Sequence, residues 1–262
     1  MCKLAIFTAH DKSRLRETVL ATWRTMAGTE KDGFGACWLS PAGRIVSVHS
    51  STPSEREELP DFVEGFWQGE FSPSNGGPLM IHGRTATCSV ELENTHPIVI
   101  NNQALVHNGI VDSDVYFNAE TTCDSELLLH AWRDNGIKAL EADIDGYYAF
   151  GLITTHRKGY TLDIVKDDRA ALIAGKNDSG YVFATTDSVL AATGAKRCGV
   201  VKNNVWIQYK GKQLVKTVRF TPKKVIYQKS SQANIERSLG PSYSAPNQAT
   251  VWRTQSQEDF EL

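Results

Sequence analysis

Residues 1–9 read Met1-Cys2-Lys3-Leu4-Ala5-Ile6-Phe7-Thr8-Ala9, a cysteine at the second position followed at once by an apolar, strand-forming run. The small Cys2 side chain allows methionine aminopeptidase to remove Met1, which would leave a thiol and a free α-amine on one residue. An α-amine has an ordinary pKa of about 8 and, when neutral, can act as the base for its own thiol. We predict that Cys2 is such a nucleophile; the alternative is an ordinary buried cysteine at the start of a strand.

Further motifs follow Cys2 along the chain. They are residues 31–35 (KDGFG), 81–87 (IHGRTAT), 92–97 (LENTHP), 105–111 (LVHNGIV) and 122–126 (TCDSE). In order and spacing they resemble the class II glutamine amidotransferases, a branch of the N-terminal-nucleophile hydrolases. The pieces at 32–35 and 93–97 look most like the small stand-alone members of that family. The resemblance covers about residues 2 to 200 of the chain.

The resemblance makes Cys2, Asn108 and Gly109 the catalytic residues. The side-chain amide of Asn108 and the backbone N–H of Gly109 form the pair of donors that an oxyanion hole needs. We interpret Asn108-Gly109 as a turn at the end of a strand, where glycine permits an unusual backbone shape. The alternative is a plain hairpin turn without a catalytic role.

The resemblance also assigns the substrate-binding residues. The Arg84 guanidinium would grip the α-carboxylate of glutamine with two parallel hydrogen bonds, and the Asp124 carboxylate would take the α-ammonium. Thr87 matches a position that lines the glutamine site. The alternative makes Arg84 a surface cation and Asp124 a helix N-terminal cap, although Asp124 can do both jobs.

Four further residues are expected to support the site. An N-terminal nucleophile needs no histidine base, so His96 and His107 are expected to orient loops, with His82 also supporting the site and Asn94 fixing the loop that carries His96. Asp32 is expected to be a structural partner in the turn into the second strand.

The motifs depart from the family pattern at two places. The family's aromatic residue between the arginine and the threonine of the 82–87 motif is missing, and residues 22–25 (TWRT) replace an Arg-Gly turn. Both departures fall near the glutamine lid and bear on affinity and on substrate identity.

Short strand-like runs between turn signals dominate the chain. The runs are 3–9, 35–39, 44–49, 79–84, 98–100, 104–106, 147–155, 160–165, 171–174, 181–184, 205–209 and 214–220. Two helices are predicted. One runs from Ser54 through Trp67, and the other begins at Thr121 and Asp124 and ends at Asn135-Gly136.

This pattern of strands and helices indicates an α+β layered protein, and the resemblance implies a four-layer αββα fold with two stacked, mainly antiparallel sheets. We expect one domain over residues 2–228 and a disordered tail over 229–262, which is rich in Ser, Gln, Asn and Pro.

Composition excludes several classes of function. The 262 residues carry a formal net charge of −2, which disfavours a nucleic-acid-coating or membrane-surface role. The longest nearly apolar run is far too short to span a bilayer, so we expect a soluble, cytoplasmic protein. Five cysteines without a Cys-x-x-Cys pair argue against disulfides and structural zinc, and neither a metal nor an organic cofactor is implied.

The resemblance thus predicts hydrolysis of the side-chain amide of L-glutamine through a thioester on Cys2. No acceptor domain is evident after about residue 220, so a separate synthetase is the expected consumer of the ammonia. Two alternatives stay open. The same fold and nucleophile can serve an amidohydrolase that cleaves another γ-glutamyl amide, or the chain can be an inactive scaffold that binds a partner.

Overall fold

The computed structural model describes residues 2–51, 71–87, 90–116 and 123–223 and the backbone of 252–254. Its strands are β1 Lys3–Phe7, β2 Phe34–Leu39, β3 Ile45–Ser50, β4 Leu79–Gly83, β5 Ile98–Ile100, β6 Gln103–Asp112, β7 Asp145–His156, β8 Gly159–Lys166, β9 Ile173–Lys176, β10 Tyr181–Ala184, β11 Lys196–Val200, β12 Val205–Lys210, β13 Gln213–Arg219 and β14 Trp252–Thr254. Its helices are α1 Leu15–Met26, α2 Asp124–Asn135, α3 Ile137–Ala142 and α4 Asp187–Ala192, with a 3-10 turn at Lys12–Arg14.

The strands form two antiparallel sheets. The first has the order β11-β9-β10-β1-β4-β2-β3-β14, and the second has the order β13-β12-β8-β7-β6-β5. β1 lies between β10 and β4, in the middle of the larger sheet. The start of β1, where Cys2 lies, is therefore held by neighbouring strands on both sides.

Alternation along β1 shows how the layers stack. Ala5 and Phe7 pack in one core cluster with α1 and α4, whereas Leu4 and Ile6 pack in a second cluster with residues of β6, β7 and β8. A third cluster joins the far face of the smaller sheet to α2 and α3. Because successive strand residues point to opposite faces, one strand contributes to two cores. The four-layer αββα arrangement predicted from the sequence is confirmed.

The path of β6 differs from the prediction. Asn108 and Gly109 do not form a strand-ending turn, because β6 continues to Asp112 and both residues pair with β7, Asn108 with Ala149 and Gly109 with Tyr148. An Asn-Gly pair favours a tight turn on its own, but here ten residue pairs of one ladder outweigh that local preference.

The helices divide into expected and unexpected ones. α2 begins at Asp124 and ends at Asn135 before Gly136, which has φ +57°, as predicted. α1 was not predicted, although Leu15, Val19, Trp23 and Met26 recur at helical spacing and are buried. The short helices α3 and α4 were not predicted either.

Some predictions fall on residues outside those described. The helix from Ser54 through Trp67 lies there, as do Thr121 and all of the predicted disordered tail except 252–254. That short piece forms β14, which pairs with β3 at the edge of the larger sheet. Among the described residues, no helix combines the length and apolar character needed to cross a membrane.

Candidate active site

Cys2 lies directly before β1, beside the end of the neighbouring strand. Because Lys3 pairs with Gly83, the two residues that follow β4 come next to the Cys2 side chain. The thiol donates to the carbonyl oxygen of Thr85 at 3.3 Å, and the Thr85 N–H donates to Sγ at 3.4 Å. The backbone N–H and the backbone carbonyl of Thr85 thus both hold the Cys2 sulfur at the start of β1.

The surroundings of Cys2 favour the neutral thiol. Burial raises the pKa of the Cys2 thiol, and the Thr85 N–H and the Arg84 charge offset that rise only in part. A group with a raised pKa is protonated at neutral pH and is a weak nucleophile. A sulfur in this environment becomes a good nucleophile only when a base removes its proton.

A small cavity of about 20 Å³ opens beside the sulfur. Eight of the ten predicted site residues line it: Cys2, Arg84, Thr87, Asn94, His96, His107, Gly109 and Asp124. His82 and Asn108 do not line it, but each lies next to residues that do. In this state the cavity is large enough for about one water molecule.

Arg84 enters the cavity from a loop that is tightly bound to the start of β2. The Arg84 side chain is buried, 3% exposed, so its description as a surface cation is wrong. The backbone N–H of Arg84 donates to the Gly33 carbonyl at 2.8 Å, and the backbone carbonyl of Arg84 accepts the Asp32 N–H at 3.1 Å. The Asp32 carboxylate accepts the N–H of Ala86 at 2.7 Å, which confirms Asp32 as a structural partner. These bonds fix the backbone on both sides of the guanidinium.

Asp124 reaches the cavity from the first turn of α2. Its Oδ2 accepts the backbone N–H of Val111 in β6 at 2.9 Å. The N-cap position is held by Cys123, whose side chain makes no capping bond, so Asp124 ties its helix to the sheet instead of capping it. A carboxylate at a helix N-terminus is also favoured by the helix dipole.

Gly109 has a backbone that only glycine tolerates. Its φ is +154°, and a Cβ built there would lie 2.0 Å from the Tyr147 carbonyl oxygen and 2.7 Å from His107 Nε2. The preceding residue, Asn108, is 2% exposed, and its Oδ1 has no hydrogen-bond partner among the described residues. Gly109 therefore brings bare backbone to the cavity wall, with the Asn108 amide directly beside it in the strand.

Three buried histidines lie at the cavity: His96 and His107 line it, and His82 lies next to His96. The His82 and His96 rings lie 4.2 Å apart, and the His96 and His107 rings lie 6.4 Å apart. Burial lowers the pKa of all three, that of His82 to about 3. They are neutral and weak bases, in keeping with a supporting role.

Hydrogen bonds orient two of these rings. His82 Nε2 donates to the His107 carbonyl at 3.0 Å, and His107 Nδ1 is hydrogen-bonded to Ser125 Oγ at 2.9 Å. Both ring nitrogens of His96 are buried without a hydrogen-bond partner among the described residues.

Sequence reasoning missed three residues that line the cavity, namely Thr85, Cys123 and Ser125. Each lies inside a motif already singled out, next to a residue that was assigned. Within the described part of the chain, no group of three or more His, Cys, Asp or Glu side chains is arranged to hold a metal ion.

Comparison with solved structures identifies the class of fold. The chain has the fold of the N-terminal-nucleophile hydrolases, two antiparallel sheets between helical layers. One similar structure is described as the allosteric regulatory enzyme of purine biosynthesis, with a TM-score of 0.65 and 19% identity over 84% of this chain. A second is glutamine phosphoribosylpyrophosphate amidotransferase from B. subtilis in complex with ADP and GMP, with a TM-score of 0.63 and 19% identity over 84% of this chain.

The similarity covers 49% of each of those two proteins, so this chain matches about half of their length. No protein-family model and no curated protein sequence matches the chain.

Proposed function

We propose that the chain is a glutamine amidotransferase-type amidohydrolase that cleaves the side-chain amide of L-glutamine to glutamate and ammonia. The observation that carries the proposal is that Cys2, Arg84, Gly109 and Asp124 line the same cavity. Those residues come from four separate parts of the chain and supply a thiol, a guanidinium, an uncovered backbone and a carboxylate. A free amino acid with a side-chain amide needs that set of partners.

Arg84 and Asp124 hold the two charged ends of the substrate. The guanidinium binds the α-carboxylate through two hydrogen bonds, and the carboxylate binds the α-ammonium. The backbone bonds of Arg84 and the Val111 contact of Asp124 support this proposal, because they fix the main chain at Arg84 and the carboxylate of Asp124. A glutamine held at both charged ends would present its carboxamide carbon to the Cys2 sulfur.

The reaction starts with the mature N-terminus. The neutral α-amine of Cys2 takes the thiol proton as sulfur attacks the carboxamide carbon, and the C=O electrons move onto oxygen. The Asn108 amide and the Gly109 N–H stabilise that oxyanion. The oxyanion collapses, the ammonium of Cys2 returns the proton to the leaving nitrogen, and ammonia departs. Water then hydrolyses the thioester, giving glutamate and the free thiol.

We also propose that a separate synthetase receives the ammonia. The two similar structures are about twice as long as the region that this chain matches, and one of them is named as an amidotransferase. An ammonia acceptor in another protein would complete such a reaction here. Co-purification of a synthetase with this chain is the measurement that tests the partner.

The test of the activity combines turnover with labelling. The protein lacking Met1 should release ammonia from L-glutamine faster than from other γ-glutamyl amides, and a glutamine analogue with an electrophile in place of the amide should label Cys2. Cys198, which is exposed, is the internal control for indiscriminate labelling. Cys2→Ser should abolish the labelling.

Four outcomes would contradict the proposal. They are full activity in a form that retains Met1, labelling chiefly at another cysteine, preference for a larger γ-glutamyl amide, and no turnover at all. The third outcome would favour the amidohydrolase alternative, and the fourth would favour the binding scaffold.

A further inference from the structure

A second, larger cleft lies at the opposite end of β1 from Cys2. It has a volume of about 590 Å³ and is lined by Phe7, by residues at the start of α1, by the β9–β10 turn and by residues after α4. The length of β1 separates it from the Cys2 end by roughly 17 Å. A cleft of this size is in the range of small-molecule sites.

Cationic side chains outnumber acidic ones around this cleft. The cations are Arg14, Lys176, Lys196 and Arg197, and the acids are Asp11 and Asp178. Arg197 pairs with Asp187 at 2.8 Å on the exposed rim. Arg14, Lys176 and Lys196 form no ion pair within 4 Å with any residue that the structure describes.

The acidic groups balance these cations only in part. The Asp11 carboxylate accepts the N–H and the hydroxyl of Ser13 at 2.9 and 2.8 Å, and these bonds, together with the nearby Arg14 charge, lower its pKa. Four cationic side chains and two acidic ones, Asp11 and Asp178, line the cleft. This excess of positive charge favours an anion in the cleft.

The floor of the cleft is apolar and well packed. Phe7 and Leu15 are each 1% exposed. His10, in the wall, is 4% exposed. Burial lowers the pKa of His10 to about 4, so the ring is neutral and adds no charge to the cleft.

We infer that this cleft binds a small phosphorylated molecule. A phosphate monoester carries close to two negative charges and three acceptor oxygens, which suit a group of several cations better than a single carboxylate does. The concave shape and apolar floor fit a small molecule, and the net charge of −2 supplies no general attraction for a polyanion. The site is separate from the proposed glutamine site and does not depend on it.

Calorimetric titration in the absence of glutamine tests the inference. Inorganic pyrophosphate at fixed ionic strength should bind saturably with one site per chain, and glucose 6-phosphate should bind whereas glucose should not. Arg14→Gln combined with Lys196→Gln should weaken pyrophosphate binding by about tenfold or more, because two charge-assisted contacts are lost.

The matched control removes one arginine and one lysine elsewhere. Arg157→Gln with Lys158→Gln, in the exposed β7–β8 turn, should change the affinity by less than about twofold, since exposed charges far from a site are screened. Binding that is not saturable, or that falls equally in both double variants, would overturn the inference. The titration measures only phosphate binding and not glutaminase activity, so its result tests this inference independently of the proposed function.

Discussion

The Asp124 carboxylate and the Val111 backbone are joined by a 2.9 Å hydrogen bond two residues beyond Gly109. One side chain thus fixes the distance between the start of α2 and the part of β6 that carries the proposed oxyanion hole. Ser125 Oγ adds a second link from the same helical turn to His107. Asp124, which we propose to bind the substrate ammonium, and the proposed oxyanion donors in β6 are consequently held together by two hydrogen bonds.

Asp124→Asn should raise KM for glutamine with a smaller effect on kcat. The amide keeps an oxygen that can accept the Val111 N–H, but it removes the countercharge of the substrate ammonium, a loss of roughly 2 to 5 kcal/mol if that pair is buried. Arg84→Lys, which keeps the charge but loses the planar fork, should act in the same direction. Steady-state kinetics measure both. Unchanged glutamine kinetics in both variants would contradict the free-glutamine assignment.

Asn108→Ala should act on kcat instead. Its amide is proposed to donate to the oxyanion, which exists only after attack, and loss of one such donor typically costs about 100-fold to 1,000-fold. Asn108 Oδ1 has no hydrogen-bond partner among the described residues, so truncation breaks no described bond to that atom. Steady-state kinetics together with urea denaturation check this. A rise in KM at constant kcat would argue that Asn108 binds the ground state.

Gly109→Ala should destabilise the protein more than Gly159→Ala does. Both glycines have positive φ, +154° and +124°, but a Cβ meets the Tyr147 carbonyl oxygen at position 109 and open space at position 159. Backbone strain alone costs about 1–3 kcal/mol, and the clash at position 109 adds to it. Urea denaturation compares the two free energies of unfolding. Equal losses would show that the close approach of β7 is unimportant.

The free energy of unfolding should fall as pH falls from 7 to 5. The pKa of His82 is about 3 in the folded protein against an ordinary value of about 6.5, so only the unfolded chain takes up that proton in this range. Between pH 7 and pH 5, His82 alone lowers the free energy of unfolding by about 2 kcal/mol. The lowered pKa values of His10, His96 and His107 act in the same direction.

The variant His82→Gln isolates this contribution. It should reduce the difference between the free energies of unfolding at pH 7 and pH 5, whatever it does to stability at pH 7. His156→Gln, at an exposed histidine, is the matched control. A pH dependence that is identical in His82→Gln and in the unmodified protein would contradict the prediction.

Much of the sheet structure was predictable from the sequence because apolar alternation and turn residues mark strands locally. The prediction matched Ile98–Ile100 and Tyr181–Ala184 at both ends. α1 was missed although its apolar stripe is complete, because it contains three threonines, which are weak helix formers. In the helix, Thr22 and Thr25 donate their hydroxyls to carbonyls one turn back. The continuation of β6 through Asn108-Gly109 is set by its pairing with β7, which no local pattern records.

The candidate site was predictable as a set of residues but not as a geometry. Motif order pointed to Cys2, Arg84, Gly109 and Asp124, and all four line one cavity. The bonds between Thr85 and the Cys2 sulfur and between Ser125 and His107 join residues that the register of β1 with β4 and the packing of α2 bring together. Such contacts depend on tertiary structure and therefore cannot be predicted from the sequence alone.

The narrowness of the Cys2 cavity has a consequence for the chemical lifetime of the protein. The space beside the sulfur holds about one water molecule, and the neutral thiol that burial favours oxidises slowly. Glutamine, the proposed substrate, is larger than this space, so its binding would widen the walls at the expense of part of its binding free energy. Between turnovers the proposed nucleophile would therefore rest in the form that is least open to oxidative damage.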